Sequence, residues 1–215
     1  MRTRTVGDHA LLVLVDDARS AVSTRRLVLD LAADPGGPGL PMPRDVVPAA
    51  RTVLLDGLPG PGAVAQWRSQ LAGAVLPPVG DGSESAEHAR QVTIEMTYDG
   101  VDRDVVATAW GCSREAVVDR HRRTVFLVAF CGFAPGFAYC VPADPLPAVP
   151  RRDVPRERVP GGSVALAGEY CGVYPTEMPG GWQLIGRTSA VLFDPDRTEP
   201  ALLAPGDTVR FRAVS

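Results

Sequence analysis

The sequence predicts an α+β protein of two domains, one over residues 1–85 and a β-rich one over residues 86–215 with a helical hairpin near its start. Strand and helix patterns alternate over the first third of the chain, which is typical of a small α/β sandwich. A polar stretch of small residues, 77–90, then indicates a domain boundary or an exposed loop. Beyond residue 130 helical periodicity is absent, and short apolar runs between proline and glycine turns favour a barrel or a sandwich.

The elements of the first domain follow from its apolar runs and from the residues that break them. Residues 9–15 and 51–55 are short apolar runs and predict strands. Apolar residues at helical spacing predict a helix over 18–33, which a loop rich in proline and glycine ends. A second helix is predicted over 62–74, before two consecutive prolines.

The second domain is predicted to begin with a strand, two short helices and another strand. Apolar residues alternate over 91–98, and 124–130 is strongly apolar, so both predict strands. Between them, 102–110 and 113–123 predict two helices, and Ser113 is a suitable N-cap for the second. Further short strands are predicted at 163–167, 182–187, 191–193 and 208–213.

The composition excludes several classes of function. A formal net charge of −3 gives no electrostatic basis for binding nucleic acid or anionic lipid. The chain contains no lysine and no asparagine, so arginines and backbone N–H groups must bind any phosphate. The N-terminal apolar run, 10–15, is too short for a signal peptide or a membrane span, and a cytoplasmic location is expected.

The sequence gives little support for a metal site, a catalytic serine or a DNA-binding helical pair. Three widely separated histidines give no metal-ligand spacing, and His121, at the end of the second predicted helix, is expected to interact with the helix dipole. Gly161-Gly162-Ser163 resembles a hydrolase nucleophile elbow, but Ala165 replaces the required glycine and no helix follows. Ser163 is still able to offer a hydroxyl or an N–H to an anion. Carboxylates offset the arginines of the helical pair, which favours a solvated hairpin over a DNA-binding one.

The strongest signal is the segment 132–187, which is dense in glycine, proline, aromatic residues and arginine. Glycine and proline fix loop shapes, because the first permits positive φ and the second locks φ. Aromatic residues and arginines on such loops form a rigid recognition surface. The residues therefore predict loops that hold a planar or anionic group.

The same segment resembles a known family through several motifs in order: FAPGFAY, VPGGSVALAG, GVYP, PGGWQLIGRT, LFDP and PGDTVRF. Near the other end, the stretch from Gly7 to Leu12 resembles that family's opening motif. The family is that of the B subunit of 5-oxoprolinase, also described as allophanate hydrolase subunit 1. It includes a sporulation-kinase inhibitor and half of a urea carboxylase domain. The resemblance implies a ferredoxin-like N-terminal domain followed by a cyclophilin-like β-barrel.

The resemblance also implies an activity that needs partners. A sister C subunit and an A subunit would cleave 5-oxoproline to glutamate with this chain, using ATP, with or without Mg²⁺. This chain alone is expected to bind no cofactor and to be inactive. The catalytic candidates are Arg156, Arg187 and His121; a simpler interpretation pairs each arginine with a surface carboxylate. The substrate-binding or interface candidates are Phe133, Pro135, Phe137, Tyr139, Gly162, Ser163, Tyr174, Pro175 and Trp182.

Two alternatives remain open from the sequence. A regulatory binding module would use the same aromatic loops to hold a histidine kinase. A component of an allophanate or urea pathway would take part in amide hydrolysis or carboxyl transfer.

Overall fold

The computed structural model describes residues 1–77 and 90–214. The chain divides into two compact units, Met1–Val79 and Gly80–Ser215. Most of the predicted boundary segment 77–90, with His88, lies outside the described residues, and the limits of the two domains stay a prediction.

The N-terminal unit is an antiparallel four-stranded sheet with two helices. Its elements are β1 (Arg2–Val6), β2 (Ala10–Leu14), α1 (Ala18–Ala33), β3 (Asp45–Pro48), β4 (Thr52–Asp56) and α2 (Pro61–Leu71). The strand order is β1-β2-β4-β3. Both predicted helices and both predicted strands are confirmed, although α2 ends at Leu71 instead of residue 74.

The core of this unit lies between the central strands and the helices. Leu11 and Val53, from β2 and β4, are fully buried together with Trp67 of α2. The indole of Trp67 keeps a partner in this apolar setting, since its Nε1 donates to the Pro41 carbonyl at 2.9 Å. At the start of α1, Asp17 accepts a hydrogen bond from the Ser20 N–H, as an N-cap residue does.

The C-terminal unit contains nine of the described strands and two helices. They are β5 (Gln91–Met96), α3 (Arg103–Trp110), α4 (Arg114–Arg123), β6 (Phe126–Cys131), β7 (Ala138–Pro142), β8 (Arg156–Val159), β9 (Ser163–Ala167), β10 (Tyr170–Val173), β11 (Met178–Gly180), β12 (Gln183–Arg187) and β13 (Thr208–Ala213). Seven strands form one sheet in the order β12-β9-β10-β7-β6-β13-β5, and β8 pairs with β11 separately.

The seven-stranded sheet is nearly closed into a barrel. Its two edge strands meet at a bridge between Thr97 and Arg187, whose backbone groups exchange two N–H···O bonds of 2.9 Å. The N–H groups of Gly100 and Asp102 extend the contact by donating to the carbonyls of Ile185 and Leu184. The predicted β-rich second part is therefore confirmed as a barrel-like sheet.

The predicted helical hairpin is confirmed as α3 and α4. The Ser113 hydroxyl caps α4 by accepting the Ala116 N–H at 3.2 Å. The predicted strand 191–193 is wrong, because Phe193 makes only an isolated bridge to Ala201. Within the described part of the chain, no helix combines the length and the apolar character needed to cross a membrane.

Candidate functional site

A cleft of about 890 Å³ lies on the C-terminal unit. Its walls come from the β6–β7 turn, the segment before β8, the β9–β10 turn and the segment around β11. Six aromatic residues line it: Phe133, Phe137, Tyr139, Tyr170, Tyr174 and Trp182. The cleft therefore brings together five predicted site residues, all of them aromatic, and adds Tyr170.

Phe137 is the centre of the aromatic wall and is almost completely buried. Its ring centroid lies 5.4 Å from those of Tyr174 and Trp182, with interplanar angles of 84° and 86°. Tyr139 adds contacts at 5.1 Å to Phe137 and 5.5 Å to Trp182. Edge-to-face packing of this kind fixes each ring against the next. The wall is thus preformed in the chain by itself.

Glycines beneath the rings explain why the sequence permits this packing. A Cβ at Gly172 would lie 3.0 Å from the Trp182 ring and 3.2 Å from Phe137. A Cβ at Gly180 would overlap the Tyr174 hydroxyl. These glycines leave the space that the rings fill, so part of the glycine density seen in the sequence serves the cleft.

Phe133 differs from the other rings of the cleft in its exposure to solvent, which is 68%. Its φ is 72°, and among the described residues it is the one non-glycine residue with positive φ. That conformation costs a residue with a side chain about 1 kcal/mol or more. An exposed aromatic ring in an unfavourable backbone conformation at the edge of a cleft is typical of a binding residue.

Arg151 is the charged residue of the lining, and it was not among the site residues predicted from the sequence. No ion pair or side-chain hydrogen bond joins it to another described residue, and it is exposed. Burial raises the pKa of the Tyr139 and Tyr174 hydroxyls, and the Arg151 guanidinium partly opposes that rise. The signal was available in the Pro150-Arg151 pair, but sequence alone does not show which arginine lacks a carboxylate.

Arg156 belongs to a buried ion pair beside the cleft. Its Nη2 donates to both carboxylate oxygens of Asp102, at 2.8 and 2.9 Å. Asp102 also accepts the Leu184 N–H at 2.7 Å, and Arg152 lies 3.7 Å from it. Arg156 therefore matches the simpler interpretation, in which the arginine pairs with a carboxylate.

We expect Asp102→Asn to lower the free energy of unfolding by about 2 kcal/mol, measured by urea denaturation. The change leaves the Arg156 guanidinium, whose side chain is 21% exposed, without its counter-charge. Asp104→Asn is the matched control, because Asp104 pairs with Arg114 in solvent and is expected to matter little. Equal losses for the two variants would contradict this role for Asp102.

Arg187 also pairs with a carboxylate, since its Nε lies 2.8 Å from Asp99 Oδ2. Its side chain is 74% exposed and lies at the barrel closure, outside the cleft lining. The two arginines predicted as catalytic candidates are thus both engaged in ion pairs.

Four further candidates lie outside the cleft lining. Gly162 and Ser163 are buried; the Gly162 N–H donates to the Tyr174 carbonyl, which follows β10, and the Ser163 N–H donates to the Pro160 carbonyl of its own turn. The suggestion that these N–H groups are available to an anion was therefore wrong, because both already donate to carbonyls of the chain. Pro135 is exposed and Pro175 half-buried, and each adjoins a cleft segment without lining it.

His121 lies inside the barrel, fully buried and packed against Phe126 and Phe211. Its Nδ1 is 2.8 Å from the Tyr98 hydroxyl and its Nε2 is 3.5 Å from Cys171 Sγ. Burial lowers the pKa of His121 to about 3. The expected interaction of a charged imidazole with the helix dipole was wrong, because the ring is neutral near pH 7. His121 does not line the cleft.

The residues that the structure describes contain no group of three or more histidine, cysteine, aspartate or glutamate side chains placed to hold a metal ion. The cleft lining likewise contains none of these four residue types. What the arrangement offers is planar stacking surface and one unpaired guanidinium. It is equipped for recognition of a ligand, and the hydroxyls of its lining belong to tyrosines, of which Tyr139 and Tyr174 have a pKa that burial raises.

The chain is similar in sequence to known proteins. The chain is 48% identical to the B subunit of 5-oxoprolinase from Escherichia coli O157:H7 over 133 residues, which are 60% of this chain and 61% of that protein. It is 43% identical to the corresponding 5-oxoprolinase protein of Bacillus subtilis over 129 residues, 59% of this chain and 54% of that one. The alignments thus span little more than half the length of these relatives.

A solved structure extends the comparison to nearly the full chain. The crystal structure of TTHA0988 superposes with a TM-score of 0.71 at 34% identity, covering 97% of this chain and 40% of that one. The resemblance to the family of 5-oxoprolinase B subunits that the sequence motifs indicated is confirmed by the two relatives above. Since a family profile matches residues 1–203, the protein is a member of the family described as carboxyltransferase domain, subdomain C and D.

Proposed function

We propose that this chain is the B subunit of an ATP-dependent 5-oxoprolinase and is inactive without its sister subunits. The observation that carries the proposal is the cleft, which has aromatic walls and an unpaired guanidinium; among the described residues its lining contains no histidine, cysteine, serine, threonine or carboxylate side chain. A site of this kind binds and orients a small ring, and a partner must supply the remaining chemistry. The names of the relatives support the same activity.

The reaction explains why partners are needed. The amide of a five-membered lactam is a poor electrophile, so opening it in water requires activation. Phosphorylation of the lactam oxygen by ATP, with release of ADP, would activate the carbonyl carbon. Water would add to that carbon and the C–N bond would break, which frees the amine and leaves an acyl phosphate. A second water would then release inorganic phosphate and leave the side-chain carboxylate of glutamate. In this scheme the residues of the cleft hold the ring in place and exclude bulk water.

The chain's own residues do not fit an ATP site. No lysine is present, and the N–H groups of Gly162 and Ser163 already donate to the carbonyls of Tyr174 and Pro160. Arg156 and Arg187 already pair with carboxylates. We therefore assign ATP, with or without Mg²⁺, to the assembly with the C and A subunits and derive no step at this chain's residues.

Three finer assignments belong to the same proposal. The strand order β1-β2-β4-β3, with α1 between β2 and β3, supports a ferredoxin-like N-terminal domain. In this domain β1, the first strand of the chain, lies at the sheet position that the fourth strand of a ferredoxin-like fold takes. The nearly closed sheet supports a cyclophilin-like barrel over 86–215, with 1–85 as the first domain. We assign the assembly to the cytoplasm.

The test is reconstitution. The chain is produced with its C and A partners, and 5-oxoproline-dependent ATP hydrolysis is measured together with release of glutamate. We expect turnover in the complete assembly and none in the separated chain, because the described cleft lining has no histidine, cysteine, serine, threonine or carboxylate side chain to carry the chemistry. Full activity of the isolated chain would contradict the proposal.

Two other outcomes would lead to other functions. The family's carboxyltransferase description makes carboxyl transfer, or hydrolysis of a urea-type amide, the second candidate. A stable complex without 5-oxoproline turnover would favour it. Failure to form any complex would favour a regulatory module that uses the aromatic loops to hold a kinase.

A further inference from the structure

We propose that the aromatic cleft selects a small ring bearing a carboxylate and no positive charge, with Arg151 binding the carboxylate and Phe133 covering the ring. This inference rests on the proposed function, because it names how that activity's substrate would be recognised. It also assigns a role to Arg151, which its position in the fold indicates, and a specific role to Phe133, which the sequence had already made a candidate.

Arg151 has the properties of an anion-binding group whose guanidinium is available to a ligand. A guanidinium presents several N–H donors in a plane, and these match the two oxygens of a carboxylate. The other arginines beside the cleft, Arg152 and Arg156, are directed to Asp102. Arg151 has no such carboxylate among the described residues, and its Nη2 lies 3.8 Å from the position of a Cβ on Gly181, inside the cleft lining.

The backbone around Arg151 is held in place on both sides. The Arg152 N–H donates to the Gly181 carbonyl at 2.8 Å, which ties this wall of the cleft to the wall that carries Trp182. Further along the chain, the ion pair of Arg156 with Asp102 anchors the start of β8. Because the segment is preorganised, little conformational entropy is lost when a ligand binds.

Phe133 supplies a second recognition surface at the edge of the cleft. Its ring lies 5.6 Å from Phe137 at an interplanar angle of 82°, while most of its surface is exposed to solvent. The positive φ at this residue holds the ring in this position against its backbone preference. A planar ligand stacked on Phe133 would bury the exposed face.

The charge of the lining decides which ring carboxylates fit. An amino acid brings an ammonium group as well as a carboxylate, and the lining contains no acidic side chain to pair with it. A desolvated and unpaired ammonium is strongly disfavoured. A lactam nitrogen is uncharged, so a lactam carboxylate such as 5-oxoproline avoids that cost. The cleft is expected to reject proline, which has nearly the same shape.

The test measures binding to the full chain by isothermal calorimetry, with Trp182 emission as a second signal. The probes are 5-oxoproline, 2-pyrrolidinone, which lacks the carboxylate, and proline, which adds the ammonium. We expect 5-oxoproline to bind at millimolar concentrations and the other two to bind at least about tenfold more weakly. Arg151→Met is expected to weaken 5-oxoproline binding by roughly 10- to 100-fold, and Arg151→Lys by less.

Arg158→Met is the matched control, because Arg158 is an exposed arginine of the same unit outside the cleft. This variant should bind 5-oxoproline as tightly as the parent chain does. Circular dichroism shows whether the Arg151 variants are folded. Phe133→Ala should also weaken binding, because the stacking surface is lost. Equal binding of 2-pyrrolidinone, no effect of Arg151→Met in a folded variant, or no saturable binding would overturn the inference.

The two proposals can fail separately. Turnover of 5-oxoproline by an assembly that carries Arg151→Met, with an unchanged KM, would overturn this inference and leave the proposed function standing. Arg151-dependent binding of ring carboxylates, with no turnover of 5-oxoproline in the complete assembly, would overturn the proposed function and leave this inference standing.

Discussion

Gly186→Ala is expected to destabilise the C-terminal unit by about 3 kcal/mol or more, because it forces apart the strands that close the barrel. A Cβ at residue 186 would overlap the carbonyl oxygen of Thr97, which accepts the Arg187 N–H at the closure. That oxygen belongs to the backbone, so a change of rotamer does not relieve the overlap. The strand pairing between residues 97 and 187 must shift instead.

Urea denaturation measures this effect, and Gly132→Ala is the matched control. Gly132 lies in the same unit, has no atom within 4 Å of its Cβ position and does not have positive φ. Its substitution should leave the free energy of unfolding nearly unchanged. If Gly186→Ala unfolds at the same urea concentration as Gly132→Ala, the closure does not constrain the barrel as described.

The second large effect is a loss of stability on acidification that depends on His121. Burial holds the pKa of His121 at about 3 in the folded chain, below its ordinary value of 6.5. Between these two values the unfolded chain binds a proton that the folded chain does not, so lowering the pH favours unfolding. Stability is complete above pH 6.5, and this contribution should fall by about 2 kcal/mol between pH 7 and pH 5.

The comparison that isolates His121 uses His121→Gln, which is neutral throughout this range. The variant is expected to lose less stability than the parent chain over the same two pH units, whatever its stability at pH 7. His9→Gln is the control, since His9 is exposed and lies in the other unit. Parallel pH profiles for the parent and His121→Gln would show that the ring takes up its proton inside the fold.

The elements that sequence reasoning located are those with a strong hydrophobic pattern. Helix α1 has apolar residues at regular spacing and the Asp17 cap, and its predicted limits, 18–33, are those observed. Strands β9 and β13 were equally well defined. By contrast, β1 is largely exposed, and its residues Arg2 and Arg4 hide the strand pattern. Strand β11 is Met-Pro-Gly, a sequence that predicts a turn, and only its pairing with β8 makes it a strand.

The sequence predicted which types of residue form the candidate site, but it did not predict which carboxylate each arginine pairs with. The aromatic residues could be recognised because their glycine and proline neighbours indicated rigid loops, and the structure gathers five of them in one cleft. The arginines could not be sorted in this way. Asp102 is far from Arg156 in sequence and Asp99 is far from Arg187, so only the closed barrel shows which arginines are paired and that Arg151 is not.

Closure of the barrel also limits how another protein can attach to this one. Because the segment after β5 bonds to β12 at the Thr97–Arg187 bridge and beyond it, the β12 edge of the seven-stranded sheet offers little free main chain for a foreign strand to extend. The outer strands of the N-terminal sheet, β1 and β3, remain at edges. Strand addition by a partner is therefore obstructed at β12, and in the N-terminal unit the arginines of β1 and Pro48 of β3 restrict it. At the β12 edge of the barrel, partner recognition must come from side chains.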